Sequence, residues 1–360
     1  MAKTANKGEW SELYVLLKLL GEKKVYAGDG ELNKIENLFY PVLKVLRDEQ
    51  SVHYEYTLDD NIVIISEDGK ELLRRSVADF LNRADTLLNI IRKEKGTFAI
   101  PEIEQFMTEI HCNKIKAGSK QKKDITIVIH DLRTGMTPTL GFSIKSQLGG
   151  NSTLFNAGKT TNFTFNVTGH DFTDTEIESI NEIDTSSKIR DRIENINELG
   201  GTLQFKTMDD AICRNNFILI DSCLPHIMAN ILVKSNCGET KSIKELTEQI
   251  AVVNPLNYDT TYNQQFYAHK VKNFLVATAL GMVPHTPWNG AYQANGGYLV
   301  VKADGDVLCY HFYDRNLFED YLYCNTKLET PSSSRYDFGK LYKNETHELC
   351  FKLNLQVRFK

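Results

Sequence analysis

The chain of 360 residues has no run of about eighteen apolar residues, so a single membrane-spanning helix is excluded. Its opening, MAKTANKGEWSE, has no apolar signal region. A cytoplasmic protein is therefore expected. The seven cysteines (Cys112, Cys213, Cys223, Cys237, Cys309, Cys324 and Cys350) are scattered, and none pairs as C-x-x-C. That spacing argues against a zinc site and against a disulfide framework, and predicts reduced, partly buried thiols. Only two tryptophans occur, Trp10 and Trp288, and both are expected in the core rather than as base-stacking platforms. His111 and His130 have no spacing that suggests catalysis or metal ligation. No helix-turn-helix, zinc finger or basic zipper is legible. The net charge of -5 gives no global attraction to nucleic acid.

What the chain has is ordinary hydrophobic content in a mixed order of elements. Residues Gly8 to Leu20 read as a helix, apolar on nearly every side and therefore buried. HYEYTL and NIVIIS read as strands joined by a turn at Asp59-Asp60. The stretch from Glu71 to Gly96 carries Leu72, Leu73, Val77, Phe80, Leu81, Ala84, Leu87, Leu88 and Ile91 at helical spacing, which predicts one long helix. Pro101 opens another. TTNFTFNV reads as a strand. SSKIRDRIENINELGG is a helix capped by Ser186 or Ser187 and stopped at Gly200-Gly201. NQQFYAHKVKNFLVATALG is a helix, GGYLVVKADGDVLCYHFY a hairpin turning at Asp304-Gly305, and FKLNLQVRF an alternating strand. This order predicts an α+β or α/β fold, a mixed β-sheet flanked by helices. Expected regions are 1–100, mainly helical, 101–235, and 236–360; one compact unit is the alternative.

The stretch KKDITIVIHDLRTGMTPTLGFSIKSQ, Lys122 to Gln147, is the most informative. Side chains alternate along a strand. Ile125, Ile127 and Ile129 share one face, and Asp124, Thr126, Val128 and His130 the other. On the second strand Phe142 and Ile144 oppose Ser143, Lys145 and Gln147. With the loop at Gly135 and Pro138, matching the apolar faces brings Asp124 roughly opposite Lys145. Asp131 lies six or seven residues away, on the order of 20 Å, and is expected to be a turn residue. An Asp and a Lys side by side form either a structural ion pair or a site. In a site, the carboxylate would hold a hard cation such as Mg²⁺, and the lysine would position or help deprotonate a water.

An Asp on one strand followed by acid-x-Lys on the next resembles the PD-(D/E)xK nuclease fold of type II restriction endonucleases. Here the match is Asp124 with Ser143-Ile144-Lys145. Lys123 stands where a Pro is usual, and Ser143 where an acid is usual. Such nucleases often bring a Glu from an N-terminal helix to the metal, and GEWSE offers Glu9 and Glu12. Glu9 suits a helix cap, since negative charge is favoured there; Glu12 is the candidate for the site. NKGEWSELYVLLKLL, LGFSIKSQLGGNSTLFNAGKTTNF and NTKLETPSSSRYDFG, in that order, are similar to the HpaII restriction endonuclease family over nearly the full length.

The resemblance implies a restriction-endonuclease-like, α/β-type nuclease core over 101–235 and a DNA-recognition region over 236–360. It implies Mg²⁺-dependent cleavage of double-stranded DNA at CCGG, leaving 5′-phosphate and 3′-hydroxyl ends. Asp124, the Ile144 backbone carbonyl and Glu12 would hold the metal. Lys145 would orient or activate the nucleophile, and Ser143 and Gln147 would stand in the site. Rival readings are a nicking or repair nuclease, and a DNA-binding protein that has lost catalysis. A palindromic target favours a homodimer, with a monomer nicking each strand in turn as the alternative. A cognate DNA methyltransferase is expected in the same host.

Phosphate contacts come from Lys, Arg, small polar side chains and backbone amides. A run of five lysines without an acid spans Lys114 to Lys123, and Lys120, Lys122 and Lys123 either contact phosphates or are solvated. After the second strand, Asn156, Lys159, Thr161 and Asn162 are further candidates, or an ordinary connection. Ser333, Ser334 and Arg335 form a hydroxyl-rich segment around an arginine, the residue type that reads guanine in the major groove.

Overall fold

The computed structural model describes residues 3–49, 52–115 and 123–360. It divides into two units, Met1–Ser152 with Tyr292–Tyr321, and Thr153–Ala291 with Leu322–Lys360. The chain therefore leaves the first unit and returns to it, whereas the sequence reading cut it at 100/101 and 235/236.

The first unit is built on a nine-stranded mixed sheet. Its order is Lys24–Gly28, Val307–His311, Gly297–Val301, Thr139–Ser146, Ile125–Ile129, Lys34–Glu49, Val52–Asp59, Ile62–Glu67 and Lys70–Ser76. The expected hairpin at Ile125–Ile129 and Thr139–Ser146 lies in its middle. The Gly297–Val301 strand, first arm of the second expected hairpin, runs parallel to Thr139–Ser146. Its turn needs a glycine: Gly305 has φ +89°, and a Cβ there would lie 2.3 Å from Leu88 Cδ2.

The Lys7–Glu22 helix is capped by Asn6, and as expected it is buried almost all round, with Trp10, Leu13, Tyr14 and Leu16 excluded from solvent. Gly21 lets it approach the Val77–Lys93 helix, since a Cβ at that point would sit 2.6 Å from Leu81. That second helix begins at Val77 with Ser76 as its cap. The residues before it, Lys70–Ser76, are the edge strand, so the single long helix expected from Glu71 is corrected. The Asp68-Gly69 turn, with φ of 47° and 82°, folds this segment back onto Ile62–Glu67. A local hairpin thus overrides the helical spacing of Leu72 and Leu73.

The second unit holds a four-stranded sheet and a three-stranded sheet among its described residues. Its core includes Phe155, Phe217 and Phe274, whose rings meet at 4.9–5.9 Å. FKLNLQVRF is two strands rather than one: Leu349–Asn354 joins the larger sheet and Val357–Phe359 the smaller. The helices at Lys188–Glu198 and Phe266–Leu280 match expectation. All seven cysteines are free thiols. Among the described residues no single helix is long and apolar enough to cross a membrane. The Ala211–Ile220 and Leu224–Cys237 helices reach that test only together and are bent by 107°.

Candidate active site

The central hairpin pairs Ile125 with Phe142 and Val128 with Thr139. Ile125, Ile127 and Ile129 are buried, and Asp124, Thr126 and Val128 are only partly so, as alternation requires. Continuing the register sets Asp124 opposite Ser143, with Lys145 two residues further on the same face. The expected pairing with Lys145 is therefore offset. The cause is the turn, which is built around Asp131 ahead of Gly135 and Pro138: Asp131 Oδ1 accepts the Arg133 N–H at 2.9 Å, and the Asp131 N–H donates to Met136 O at 2.9 Å.

Asp124 is held tightly on one of its two oxygens. Its Oδ2 accepts the Ser143 hydroxyl at 3.0 Å and the Ile144 N–H at 2.6 Å, while its own N–H donates to Phe142 O at 2.8 Å. Ser143 thus orients the aspartate. Lys145 is half-buried, and its ammonium lies over the Tyr298 ring, 5.0 Å from the centroid. Burial pushes the Lys145 ammonium below the ordinary lysine value, against the opposing pull of Asp124 and Glu12. Both carboxylates that the sequence singled out therefore act on this lysine.

The first helix is tied to the strand that carries Lys145 through Ser11, the neighbour of Glu12. Ser11 Oγ bonds Lys7 O at 2.7 Å and Ser146 Oγ at 2.8 Å, fastening the helix one residue beyond Lys145. Glu9 has the other role: it completes a capping box with Asn6, accepting the Asn6 N–H at 2.9 Å. Gln147 points elsewhere. Its side-chain oxygen accepts the Ala303 N–H at 3.3 Å, tying the strand to the Asp304-Gly305 turn. Among the described residues no group of three His, Cys, Asp or Glu side chains could hold a metal ion.

Tyr298 was not among the sequence candidates. It faces Ser143 in the parallel ladder, is 2% exposed, and its hydroxyl is pushed well above its ordinary value, first by burial and also by Tyr321 and Asp124. Only the pairing of strands distant in sequence brings it under Lys145, and no local pattern signals that pairing.

The DNA-contact candidates fall into three groups. Lys120 and Lys122 lie outside the described residues. Lys123, Asn156 and Lys159 are partly or fully exposed, as are Ser333, Ser334 and Arg335, whose guanidinium lies over the Tyr336 ring. Thr161 and Asn162 are corrected: they are buried, at 0% and 3% exposure. Thr161 bonds Gly158 and Asn354, and Asn162 bonds Tyr336 O, so these side chains hold the fold together and offer nothing to a phosphate.

The sequence pattern of the family described as HpaII restriction endonuclease matches residues 6–359. The chain is 45% identical to Type II restriction enzyme HpaII of Haemophilus parainfluenzae over 359 residues, covering 99% of this chain and 98% of that protein. It is also 20% identical to Lipoate-protein ligase LplJ of Bacillus subtilis (strain 168) over 196 residues, covering 51% of this chain and 57% of that protein. No solved structure matches it.

Proposed function

Since the chain belongs to the HpaII restriction endonuclease family, and is a type II restriction endonuclease acting on double-stranded DNA, we propose that it cuts both strands at CCGG with Mg²⁺, at a site made by Asp124, Ser143, Lys145 and Glu12. The central strand pair and the helix fastened to it are then the core of a PD-(D/E)xK nuclease. One observation carries this reading: Asp124, beside the start of one central strand, is fixed through one oxygen by the Ser143 hydroxyl and the Ile144 N–H of the next, immediately before the partly buried Lys145.

The donors suit Mg²⁺. That ion takes hard oxygen ligands, keeps several waters, and is commonly held by one or two carboxylates together with substrate phosphate. Asp124, Glu12 and the Ile144 carbonyl are such a set, and Asp124 Oδ1 is the oxygen that Ser143 and Ile144 leave open. Bound there, Mg²⁺ would polarise the scissile phosphodiester and lower the pKa of a water.

The protein's own groups do the rest. Ser143 and the Ile144 amide fix the aspartate's rotamer. Lys145, whose ammonium lies over the Tyr298 ring, would orient the attacking water and take its proton. In-line attack would leave 5′-phosphate and 3′-hydroxyl ends. Lys123, Asn156, Lys159, Ser333, Ser334 and Arg335 remain the DNA contacts. Two-fold symmetry of the target favours a homodimer. The enzyme would work in the cytoplasm beside a methyltransferase that protects the host's own sites.

The test is plasmid digestion with Mg²⁺, with EDTA as control, followed by sequencing of the fragment ends. Discrete fragments ending at CCGG, formed only with the metal, are expected. Ends at another sequence would overturn the specificity, and cutting in EDTA would overturn the metal.

A further inference from the structure

The second unit carries a cavity of about 450 Å³ whose chemistry the active site does not use. Among its walls are Lys188, Arg190 and Lys241, with the hydroxyls of Ser187, Ser332 and Ser334. No acidic side chain lines it. Lys188 is paired outward, to Asp184 at 2.8 Å. Arg190 and Lys241 are different. Arg190 Nη2 donates to Gly238 O at 2.8 Å, and Lys241 Nζ to Ser235 O at 2.6 Å. Each spends a donor on a carbonyl near the end of the Leu224–Cys237 helix. An arginine carries five N–H donors and a lysine three, so capping that helix uses only part of either.

The two cations also stand close enough to repel. The Lys241 ammonium is held below its ordinary value, first by burial and then by Arg190. Like charges kept together, half-buried and beside a wall of hydroxyls, are costly until an anion arrives. The shape of the donor set, one planar guanidinium, one ammonium and several O–H groups, is that of an oxyanion site.

We propose that this cavity binds a backbone phosphodiester of the DNA. The inference rests on the endonuclease reading above and deepens it by adding Arg190 and Lys241 to the contact segment that carries Ser333 and Ser334, which line the same cavity. A contact of this kind adds affinity without sequence information, because every nucleotide offers the same phosphate.

The experiment compares the full chain with Arg190→Gln, Lys241→Gln and the double variant. Binding to a CCGG duplex and to an unrelated duplex is measured in EDTA over a range of salt, after thermal unfolding has shown each variant folded. Each lost phosphate contact should flatten the plot of log affinity against log salt by about 0.9. Affinity should fall for both duplexes alike, and Lys241→Arg should restore the slope. An unchanged slope in the folded double variant would overturn the proposal. So would a calorimetric signal for inorganic phosphate that the substitutions remove while the DNA slope stays put, since the cavity would then serve a free anion. A slope lost in Lys241→Gln and not regained in Lys241→Arg would assign the residue to helix capping and count against it. None of these readouts involves cleavage, so an error in the catalytic assignment would leave them unmoved.

Discussion

The two ends of the central hairpin both bring carboxylates to a cation, and they treat it in opposite ways. At the turn, Arg133 is paired to Asp314 at 2.5 Å and lies 3.5 Å from Asp131. The Asp314 hydrogen bond pushes the guanidinium further up, so the charged form is favoured. Asp314 also accepts the Tyr40 hydroxyl, and the network closes on itself. At the other end Lys145 has Asp124 and Glu12 near it, yet burial wins and its charged form is disfavoured. An ion pair that serves the fold stabilises its own charges. A partly buried lysine whose charged form is disfavoured is a candidate for proton transfer.

The largest effect that tests this contrast is at Lys145. Lys145→Ala should lower single-turnover cleavage by about 10²–10⁴-fold, the usual range for a lost proton-transfer group, while leaving duplex binding in EDTA intact. Lys145→Arg sharpens it, since arginine keeps the charge and cannot give up its proton. It should cut as poorly as the alanine variant. Cleavage by either variant at the parent rate would move the active site away from this strand.

Next comes Ser143, whose hydroxyl donates to Asp124 Oδ2 at 3.0 Å. In metal sites, groups that orient a ligand typically affect metal affinity by about 10–100-fold. Ser143→Ala should raise the Mg²⁺ concentration for half-maximal cleavage by that factor, with most of the rate recovered at saturating metal. Ser143→Asp sets the usual acid back in place. If it lowers the metal requirement, the serine is a weakened acid position. If it abolishes cutting, the serine's hydrogen bond is the feature that matters.

Much of this was legible beforehand, and the reasons differ from one residue to the next. The alternation DITIVIHD placed Asp124 on the opposite face from the isoleucines because one face of that strand is buried. Glu9 was legible as a cap because capping depends on neighbours three residues apart, and its capping box is there. The exact register was not legible, since it depended on where the turn closes, and Asp131 closes it early. Lys70–Ser76 was misread because a helical spacing of leucines outvoted the Asp68-Gly69 turn, a strong hairpin signal. Tyr298 was invisible because the parallel pairing that brings it to Ser143 spans more than 150 residues of chain. Thr161 and Asn162 looked like surface polar residues, but a strand start packed against Asn354 buries them.

The smallest effect is predicted at the turn. Arg133→Ala should leave cleavage unchanged and cost about 0.5–1 kcal/mol of stability, because the arginine is nearly half exposed and surface pairs contribute little. The loss should depend on pH in a fixed direction. Burial pushes the Asp131 carboxyl up, but the Arg133 amide and guanidinium, with the Thr134 hydroxyl, outweigh it and hold the group below its ordinary value. A carboxyl depressed in the folded state contributes stability above its unfolded pKa, near 3.9, and loses it as pH falls through the folded value. Denaturant midpoints of parent and variant should therefore differ at neutral pH and converge on acidification below the usual carboxylate range. A gap that instead widened in acid, or a cleavage rate that fell with Arg133, would mean that the two ends of the hairpin are not the separate devices their pKa shifts describe.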